Sequence, residues 1–386
     1  MDIGQFREQR TGSLLDTPYG VKAFCPDPLP PKLDLAALAI PLAAATQAVG
    51  ELKGASRRLP NPYILVRPLQ RREALTSSAM EGTFTTEDEL LLTDAGINDA
   101  ADQASIEVRN YLRALTQSLR MLQVDGLPIC HKLIRTAHAT LLSGVGTHRG
   151  AHKNPGEYKT EQNAIGGDKP GITNARFVPP PPSVAERCMN DLEAYINRPD
   201  RDMTPALIDI ALVHYQLETI HPFTDGNGRV GRMLISLMAV ERGVFEDPLL
   251  YVSPELEDRK DQYIDLMLRV STEGAWTEWL IFFLNVIEKS AISSIQVVDK
   301  LIALQATYRE RITQASRSAN AVALVDMLFE SPLVTVRHVQ DAFGVTYRAA
   351  RNTIDKLIEQ KILIEVSRFH PTAFIAPEIM RIADQS

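Results

Sequence analysis

Twelve residues, 221–232 (HPFTDGNGRVGR), bring together side chains suited to proton transfer, cation binding and anion binding. The neutral imidazole of the histidine can accept a proton, and the carboxylate four residues later can hold a divalent cation. Glycines on both sides of the asparagine let backbone amides approach an anion closely. Two arginines three residues apart can bind phosphate oxygens in a forked geometry. The residues expected to act are His221, Asp225, Gly226, Asn227, Gly228, Arg229, Gly231 and Arg232.

The flanking sequence predicts that this stretch is a loop between two buried helices. Thr204 and Pro205 are typical of a helix start, with the threonine as N-cap. Residues 206–220 are apolar almost all round, which indicates a central helix. A second apolar helix follows at 233–240 and ends near Gly243. The glycines of the loop therefore lie at a helix N-terminus, where unpaired N–H groups and a partial positive charge bind phosphate.

Residues 221–232 match the pattern HPFx[D/E]GNGRxxR at every defined position and so resemble the motif of the Fic family. The alternative is a glycine-rich turn whose polar residues only cap the two helices, and the length of the match disfavours it. The resemblance covers roughly residues 70–290 with specific motifs. It implies a mainly α fold with a helical Fic core and a β-hairpin flap.

A second informative stretch, residues 71–82, is predicted to form a helix that ends at Gly82. A carboxylate at the negative end of a helix is locally unfavourable, so Glu81 needs a cationic partner elsewhere. The spacing Ser77-xxx-Glu81-Gly82 resembles the inhibitory motif [S/T]xxxE[G/N] of Fic proteins with an N-terminal inhibitory helix (class II). The resemblance implies that the glutamate pairs with Arg232 and obstructs the ATP γ-phosphate. The alternative is a surface glutamate near a helix end.

Residues 146–182 are rich in glycine and proline, which excludes a long helix. Within them, residues 160–167 can form a short hairpin that resembles the Fic flap over the active site. In the family, the flap pairs main chain to main chain with an extended segment of the target, a recognition largely blind to side chains. An ordinary surface loop is the alternative. The flap residues expected to dock the target are Gln162, Asn163, Ala164, Ile165 and Gly166.

The resemblance implies transfer of AMP from ATP to a Ser, Thr or Tyr hydroxyl of a protein, with self-modification left open. His221 is expected to take the hydroxyl proton, and Asp225 to hold Mg²⁺. The glycines and Asn227 are expected to form an anion hole, with the asparagine side chain near phosphate or ribose. Arg229 and Arg232 are expected to grip the β- and γ-phosphates. The choice of ATP as the nucleotide donor rests on the resemblance, because none of these residues selects adenine.

Three further residues have less specific surroundings. By loose similarity Tyr263 is expected to line the adenine pocket, and an equally good interpretation is a tyrosine of the amphipathic core. His131 and His138 have no partner at metal-ligand spacing, which favours packing or surface roles.

The rest of the chain is expected to be arranged around this core. The predicted parts are an N-terminal arm and helices at 1–103, the Fic core at 104–292, a linker helix at 293–317 and a winged helix-turn-helix domain at 318–386. The proline-rich piece 26–31 is expected to be extended. Further helices are predicted at 33–52, 105–122, 128–142, 184–197, 256–270 and 276–292.

The C-terminal part is predicted to be a winged helix because it alternates short helices with two short strands. The helices are expected at 321–328, 334–343 and 346–360, and the strands at 362–366 and 373–376. Arg348 and Arg351 lie where DNA contacts would be made, but Asp355 and Glu359 share their helix. The sequence therefore leaves DNA binding open beside a protein-interaction role or packing of a homodimer.

The composition of the 386-residue chain is that of a soluble globular protein with two or three domains. Its net charge of −7 gives no general signal for polyanion binding. The sequence shows neither a signal peptide nor an apolar run of about 18 residues, so we expect no membrane span. Cys25, Cys130 and Cys188 are odd in number and far apart, which fits neither a disulfide framework nor a zinc site and suits a reducing cytoplasm.

Two other functions remain open at this level. The same site could remove AMP from a modified protein, with Glu81 positioning a water, or transfer another phosphate-containing group. The protein could also be a DNA-binding regulator that uses the Fic part to sense a nucleotide. The complete motif favours the transferase, because a sensor has no need of a histidine base.

Overall fold

The computed structural model describes residues 1–8, 10–57, 63–94, 103–145, 154–167, 169, 171–316, 318–366 and 372–384. Its described part is mainly α-helical, as predicted. The helices are α1 (Leu35–Arg57), α2 (Tyr63–Ala79), α3 (Glu87–Asp94), α4 (Gln103–Gln123), α5 (His131–Leu141), α6 (Pro182–Ile196), α7 (Ala206–Ile220), α8 (Asn227–Glu241), α9 (Ser253–Glu257), α10 (Lys260–Glu273), α11 (Trp276–Ala315), α12 (Ala319–Glu330), α13 (Val336–Phe343), α14 (Tyr347–Glu359) and α15 (Pro377–Asp384). The strands are β1 (Gly12–Asp16), β2 (Lys22–Pro26), β3 (Leu333–Thr335), β4 (Ile364–Val366) and β5 (Ala373–Ile375).

Helices α7 and α8 pack together at the centre of the core. Every residue of α7 after Ala206 is buried, and so is every residue of α8 before Glu241, as expected of helices that are apolar all round. Helix α7 starts one residue later than predicted, because Pro205 is its N-cap and Thr204 closes a preceding 3-10 helix. Helix α8 starts at Asn227, so the second half of the 221–232 stretch is already helical.

The N-terminal arm forms a β-hairpin that the sequence did not predict. Strands β1 and β2 pair antiparallel, with Gly12 opposite Pro26 and Asp16 opposite Lys22. Phe24 in β2 is fully buried, and β2 packs on α6 and α7. Four successive residues of β2 are buried, so the strand lacks the alternation that reveals a strand in a sequence.

Helix α11 is continuous over 40 residues, where the sequence predicted a core helix at 276–292 and a separate linker at 293–317. No glycine or proline lies near the predicted break, so nothing ends the helix there. Helix α1 packs along α11. The predicted helix 256–270 is, conversely, divided into α9 and α10.

Helices α1 and α11 are long and apolar enough, by length and composition alone, to cross a membrane. The most apolar stretch of α11 is 56% buried inside the protein and that of α1 is 28% buried. Core helices of globular proteins pass the same test. The absence of a membrane span therefore stays a prediction.

The C-terminal unit contains α12 to α15 and a three-stranded antiparallel sheet in the order β3-β5-β4. Ile375 of β5 lies between Leu333 of β3 and Ile364 of β4. All the predicted helices and strands are present, with β3 and α15 in addition. No alternation marks β3 in the sequence, since all three of its residues are buried, and the helix predicted at 334–343 starts only at Val336. The winged-helix assignment stays a prediction.

Helix α2 lies between the core and the C-terminal unit. It contacts α4, α8 and α9 on one side and α12 and α15 on the other. The neighbouring α3 adds Leu91 and Leu92 to an apolar cluster with Leu333, Ala373 and Met380 of the C-terminal unit. The predicted inhibitory helix is therefore in contact with both parts of the protein.

Candidate active site

His221 ends α7 in a left-handed backbone conformation, with φ 48° and ψ 60°. A residue with a side chain rarely adopts this conformation, and such residues concentrate at functional sites. The ring Nδ1 lies 3.2 Å from the carbonyl oxygen of Glu218, and it must donate because a carbonyl can only accept. Nε2 therefore carries the lone pair of the neutral ring and can accept a proton.

The surroundings of His221 keep it neutral. Burial, followed by the charge of Lys159, lowers the pKa of His221 to about 4, although Glu81 and Asp225 act in the opposite direction. The imidazole is therefore uncharged at pH 7, as a general base must be.

Lys159 and Asn163 hold the loop from behind. The Lys159 ammonium is buried and donates to Asn163 Oδ1 at 2.7 Å and to the Ile220 carbonyl at 3.3 Å. The Asn163 amide in turn donates to the carbonyls of His221 at 3.2 Å and Phe223 at 3.0 Å. Burial lowers the pKa of Lys159 to about 7. The side chain of Asn163, a residue predicted to dock the target, thus supports the catalytic loop.

Asn227 closes the loop on itself. Its Oδ1 accepts from the N–H of Phe223 and its Nδ2 donates to the carbonyl of the same residue, both at 2.8 Å. Both polar atoms of the amide therefore serve the turn, and the expected position of this side chain near phosphate or ribose stays a prediction. Gly226 precedes α8 with φ 76°, a conformation that glycine adopts without strain.

His138 of α5 fixes the loop from the side. The N–H of Gly156 donates to Nδ1 at 2.8 Å, so Nε2 carries the proton and donates to the Asp225 carbonyl at 2.9 Å. The ring stacks on Phe223 with 3.8 Å between centroids. Burial lowers the pKa of His138 to about 4, which keeps this tautomer neutral. This is the packing role that the sequence favoured.

Asp225 is half-buried, and its Oδ1 accepts from the N–H of Gly226 at 2.7 Å. In the part of the chain that the structure describes, no three metal-ligating side chains cluster together. Mg²⁺ usually binds through one or two carboxylates plus the phosphates of a nucleotide, rather than in an all-protein cage. A single aspartate beside an anion site therefore fits a magnesium–nucleotide complex.

Arg232 is held by Ser77 and Glu81. Helix α2 starts at Tyr63, earlier than predicted, and ends at Ala79, so Glu81 lies in the turn that follows. Arg232 Nε donates to Ser77 Oγ, and Nη2 donates to the Ser77 carbonyl and to Glu81 Oε1, each at 2.8 Å. The ion pair implied by the resemblance is therefore present. We refer to residues 80–83 as the 80–83 turn; Gly82 within it has φ 79°.

The carboxylate of Glu81 lies over the first turn of α8. A Cβ atom built on Gly228 would be 2.2 Å from Glu81 Oε1 and 2.9 Å from Arg232 Nη1. The N-terminus of a helix and an arginine both attract an anion, so Glu81 fills the position suited to a phosphate. Burial acts to raise the pKa of Glu81, but Arg232, Arg229 and His221 outweigh it, and the net pKa is lowered.

Arg229 is paired with Glu107 of α4. Its Nη1 donates to Glu107 Oε2 at 2.9 Å, and the two side chains are 3% and 2% exposed. Thr83 Oγ1 donates to the same carboxylate oxygen at 2.9 Å, so the 80–83 turn is joined to this pair. The structure satisfies the buried charge of Arg229 with a carboxylate, as a buried guanidinium requires, and its predicted contact with a phosphate stays a prediction.

A cavity of about 500 Å³ opens beside His221. Its walls are mainly apolar and come from the 165–167 segment, Phe177 and α10. The residues of α10 that line it include Ile264, Met267 and Leu268. Glu218 also lines the cavity, and burial raises the pKa of its carboxyl group to about 7.

Tyr263 is buried behind the residues of α10 that line the cavity. Its hydroxyl lies 3.0 Å from His214 Nε2, and His214 Nδ1 lies 3.2 Å from the Gly231 carbonyl. The carbonyl fixes the proton on Nδ1, so the tyrosine donates to Nε2. Tyr263 thus holds α10 against α7 and α8, and its role in an adenine pocket stays a prediction. Gly231 lies within α8, where an added Cβ would be 2.2 Å from Glu218 Oε1.

The flap pairs with a different segment from the one predicted. Ile165 forms an antiparallel bridge to Phe177, with N–H to carbonyl distances of 2.8 and 3.0 Å, so the turn lies beyond the predicted hairpin 160–167. Gln162 Nε2 donates to the Pro179 carbonyl at 2.8 Å. Ala164 and Gly166 are exposed beside the bridge. The reason for the difference is that the glycines after Ile165 allow a wide connection rather than a two-residue turn.

The two arginines of the C-terminal unit differ in their surroundings. Arg351 donates to Asp355 Oδ1 and Glu365 Oε2, both at 2.9 Å, and lies over the Phe374 ring. Arg348 is exposed. Two carboxylates therefore already neutralise one of the two arginines predicted to reach DNA.

Sequence reasoning missed Glu218, Lys159 and Glu107. Glu218 was visible as an acidic residue in an otherwise apolar helix, three residues before His221. Lys159 follows a glycine-rich stretch and gave no signal of burial. Glu107 looked like an ordinary polar residue of an amphipathic helix.

Two family models match this chain. The Fic/DOC family N-terminal model matches residues 40–120, and the Fic/DOC family model matches residues 128–239. The first match contains Ser77, Glu81 and Glu107, and the second contains the whole loop from His221 to Arg232.

Curated relatives include proteins named protein adenylyltransferase Fic. That of Drosophila grimshawi is 27% identical over 194 residues, which are 50% of this chain and 36% of the relative. That of Aedes aegypti is 26% identical over 195 residues, 50% of this chain and 35% of the relative. The match thus spans about a third of the length of these relatives.

Solved structures show the same fold. A Fic family protein from Desulfovibrio desulfuricans superposes with a TM-score of 0.57 at 18% identity, covering 90% of this chain and 98% of the other. Fic-1 (residues 134–508) from C. elegans gives a TM-score of 0.51 at 19% identity, covering 71% and 75%. Residues 40–120 and 128–239 therefore match the N-terminal and Fic domains of the Fic/DOC family, and the solved structures share the fold.

Proposed function

We propose that this protein transfers AMP from ATP to a Ser, Thr or Tyr hydroxyl of a protein target. The observation that carries the proposal is a neutral histidine that lines a cavity and has Nδ1 bonded to a carbonyl, beside an anion site at the start of α8. His221 Nε2 takes the hydroxyl proton as the hydroxyl oxygen attacks the α-phosphorus. The bond from the α-phosphorus to the bridging oxygen breaks, and pyrophosphate leaves.

The remaining residues suit the parts of ATP. The N–H groups at the start of α8 and the Arg232 guanidinium suit the β- and γ-phosphates. Asp225 is the residue that would hold Mg²⁺, and the ion would offset the negative charge of the phosphates. The apolar cavity beside His221 suits the nucleoside, since such pockets surround a flat ring with apolar side chains and a few polar groups.

The exposed edge beside the Ile165–Phe177 bridge suits the target. Ile165 uses both its backbone groups on Phe177, and the Gly166 carbonyl accepts from the Arg176 N–H at 3.4 Å, so the residue before the bridge is the one expected to direct its backbone groups to the other side. Ala164 is exposed there. An extended segment of a target added at this edge would carry its hydroxyl towards His221, with little dependence on sequence.

Glu81 is proposed to keep the enzyme inactive. Its carboxylate takes the phosphate position, uses one donor of Arg232 and repels the γ-phosphate. Activity then requires displacement of the 80–83 turn. The turn is also held by Lys260, which donates to the Met80 carbonyl at 3.1 Å, and by the Thr83 bond to Glu107.

ATP labelled at the α-phosphate tests the proposal, with γ-labelled ATP in parallel. Wild type, Glu81→Gly and the double variant Glu81→Gly/His221→Ala are incubated with Mg²⁺ and a lysate, and protein-bound label is counted. We expect α-label on protein with Glu81→Gly, little with wild type and none with the double variant. Transfer of γ-label, or equal α-label with and without the histidine, would contradict adenylyl transfer by His221.

Removal of AMP from a modified protein is a second candidate, and one observation favours it. The Glu81 carboxylate is close enough to raise the pKa of His221, so it can orient a water beside the same site. Release of free AMP from a pre-labelled target by wild type, but not by Glu81→Gly, distinguishes this reaction from transfer. The nucleotide-sensing DNA-binding regulator has less support, because Arg351 is neutralised by two carboxylates.

A further inference from the structure

Two cysteines that lie far apart in the sequence face each other in the fold. Cys25 Sγ of β2 and Cys188 Sγ of α6 are 3.7 Å apart, although 163 residues separate them. Both are buried, with 7% and 4% of their surface exposed. The sequence interpretation, which found no disulfide framework, could not anticipate this contact.

The environment of the pair favours one reactive thiolate. The hydrogen bond with Cys188 is the main cause that lowers the pKa of Cys25 to about 7, and Arg187 acts in the same direction. Arg187 itself is exposed, so the cation that favours the Cys25 thiolate reaches solvent. The pKa of Cys188 is raised, so that sulfur is the proton donor of the pair. A thiolate next to a cation and a second thiol is the usual arrangement of an oxidisable cysteine.

We propose that Cys25 and Cys188 are a redox-active pair that hydrogen peroxide converts to a disulfide, tying the N-terminal hairpin to α6. The Cys25 thiolate attacks one peroxide oxygen, the O–O bond breaks, and Cys25 becomes a sulfenic acid with release of water after protonation. Cys188 sulfur then attacks the Cys25 sulfur, an S–S bond forms and a second water leaves. The peroxide takes up the two electrons that the two thiols lose.

The geometry requires a modest movement. A disulfide brings its sulfurs to about 2.05 Å, so the two sulfurs must approach by about 1.7 Å from van der Waals contact, a distance that rotation of the two side chains can supply. Strand β2 and helix α6 already pack on each other. The bond would therefore form in the folded protein.

The bond would act on the wall of the His221 cavity. The N–H of Phe24, next to Cys25, donates to the Val178 carbonyl at 2.8 Å, and the Phe24 ring contacts that of Phe177 with 5.8 Å between centroids. Phe177 lines the cavity and pairs with Ile165. Oxidation would thus hold the segment behind the flap more firmly.

Cys130 provides an internal control. It is half-buried and has the same side chain, so a non-selective oxidant would modify it as readily. Hydrogen peroxide is added to the folded wild type and to the variants Cys25→Ser, Cys188→Ser and Cys130→Ser. Each protein is then unfolded and alkylated, and its cysteines are mapped by proteolysis and mass spectrometry. Hydrogen exchange of the segment containing Ile165 and Phe177 is followed in the same samples.

We expect the wild type to fall from three alkylatable thiols to one, with a loss of about 2 Da in a linked pair of peptides that carry Cys25 and Cys188. Cys130→Ser should form the same bond, and dithiothreitol should reverse it. The melting temperature should rise by several degrees, and exchange at Ile165 and Phe177 should slow only where the bond forms. The map of cysteine pairs in the wild type tests the proposal by itself, even if a serine variant fails to fold.

Three thiols that remain alkylatable in the folded wild type would overturn the proposal, and so would links that involve Cys130. If the Cys25–Cys188 bond forms but hydrogen exchange at Ile165 and Phe177 does not change, the proposed effect of the bond on the cavity wall is wrong. None of these outcomes depends on adenylyl transfer, so the proposal fails or stands separately from the proposed function.

Discussion

The two arginines of the catalytic loop meet their carboxylates in different ways. Arg232 pairs with Glu81, whose side chain is 37% exposed and lies in a turn after the end of α2. Arg229 pairs with Glu107, whose side chain is 2% exposed and lies inside α4. The first carboxylate can move away with its turn. The second can leave only if a core helix moves.

This difference suggests separate roles for two residues that a motif presents as equivalent. We infer that Arg232 is the ligand-binding arginine and that Glu81 substitutes for its ligand. Arg229 and Glu107 instead fix the start of α8 against α4. Thr83 connects the two pairs, because it follows Glu81 in the chain and donates to Glu107. Four predictions test this comparison.

Glu81→Gly should give the largest effect. The phosphate position is emptied and Arg232 becomes available, so we expect the rate of α-label transfer to rise by about 100-fold, equivalent to about 2.7 kcal/mol in the barrier. Because Glu81 is partly exposed, the free energy of unfolding should change by about 1 kcal/mol or less. The measurements are initial rates at saturating ATP and urea unfolding. A rate equal to that of wild type would contradict the inhibitory assignment.

Glu107→Gln should have the opposite effects, a large loss of stability and no gain in transfer rate. A buried guanidinium loses its counter-charge, which should lower the free energy of unfolding by about 3 kcal/mol, and transfer should not increase. Urea unfolding measures the first result and label transfer the second. Glu359→Gln on the exposed side of α14 is the matched control, with an expected change within about 0.5 kcal/mol. A Glu107→Gln protein as stable as this control would remove the distinction between the two pairs.

Thr83→Val should give an intermediate effect because it breaks the link between the pairs. The variant loses one buried hydrogen bond, worth about 1 kcal/mol. The 80–83 turn is then held less firmly, and basal transfer should rise by less than tenfold. The rate is compared with that of Thr85→Val, where the hydroxyl bonds to the exposed Glu89 and to Ser105 instead. Equal rates in the two variants would show that Thr83 does not restrain the turn.

Lys159→Met should shift the pH profile of the rate. Of the four variants, it should change the rate at pH 8 the least. The base acts when neutral, and the pKa of His221 is about 4 with Glu81 present. Because Glu81 raises that pKa, the rate of Glu81→Gly should be lost only as the pH falls to about 4 or below. Removal of the Lys159 charge raises the pKa of His221, so the acid limb should move to higher pH. The profile is measured in the Glu81→Gly background. An unmoved acid limb would show that the ammonium does not tune the histidine.

The central part of the site could be predicted from the sequence because its residues are local. One loop carries the histidine, the aspartate and the glycines, and the apolar flanks predict the two buried helices that hold it. The Glu81–Arg232 pair spans 151 residues and was accessible only through the resemblance of two short motifs. A helix was correctly predicted at 71–82, although α2 starts at Tyr63 and ends at Ala79, and its inhibitory role stays a prediction.

Other features depend on contacts that no local pattern reveals. Glu107 and Arg229 lie 122 residues apart, and nothing in an amphipathic helix marks one glutamate as the partner of a distant arginine. The flap was wrongly paired because the bridge from Ile165 reaches Phe177 across a wide connection. The side chain of Asn227 was predicted to lie near the ligand. Nothing in the sequence shows that both polar atoms of this amide bond to the backbone of the same loop.

Calorimetric titration with ATP and AMP tests the central claim most directly. AMP lacks the β- and γ-phosphates, so its affinity should be the same for wild type and the isosteric variant Glu81→Gln. ATP should bind the variant at least about tenfold more tightly than wild type, equivalent to about 1.4 kcal/mol, because Arg232 and the start of α8 are released from the carboxylate. Equal affinities of the two proteins for ATP would contradict the claim that Glu81 occupies the phosphate site.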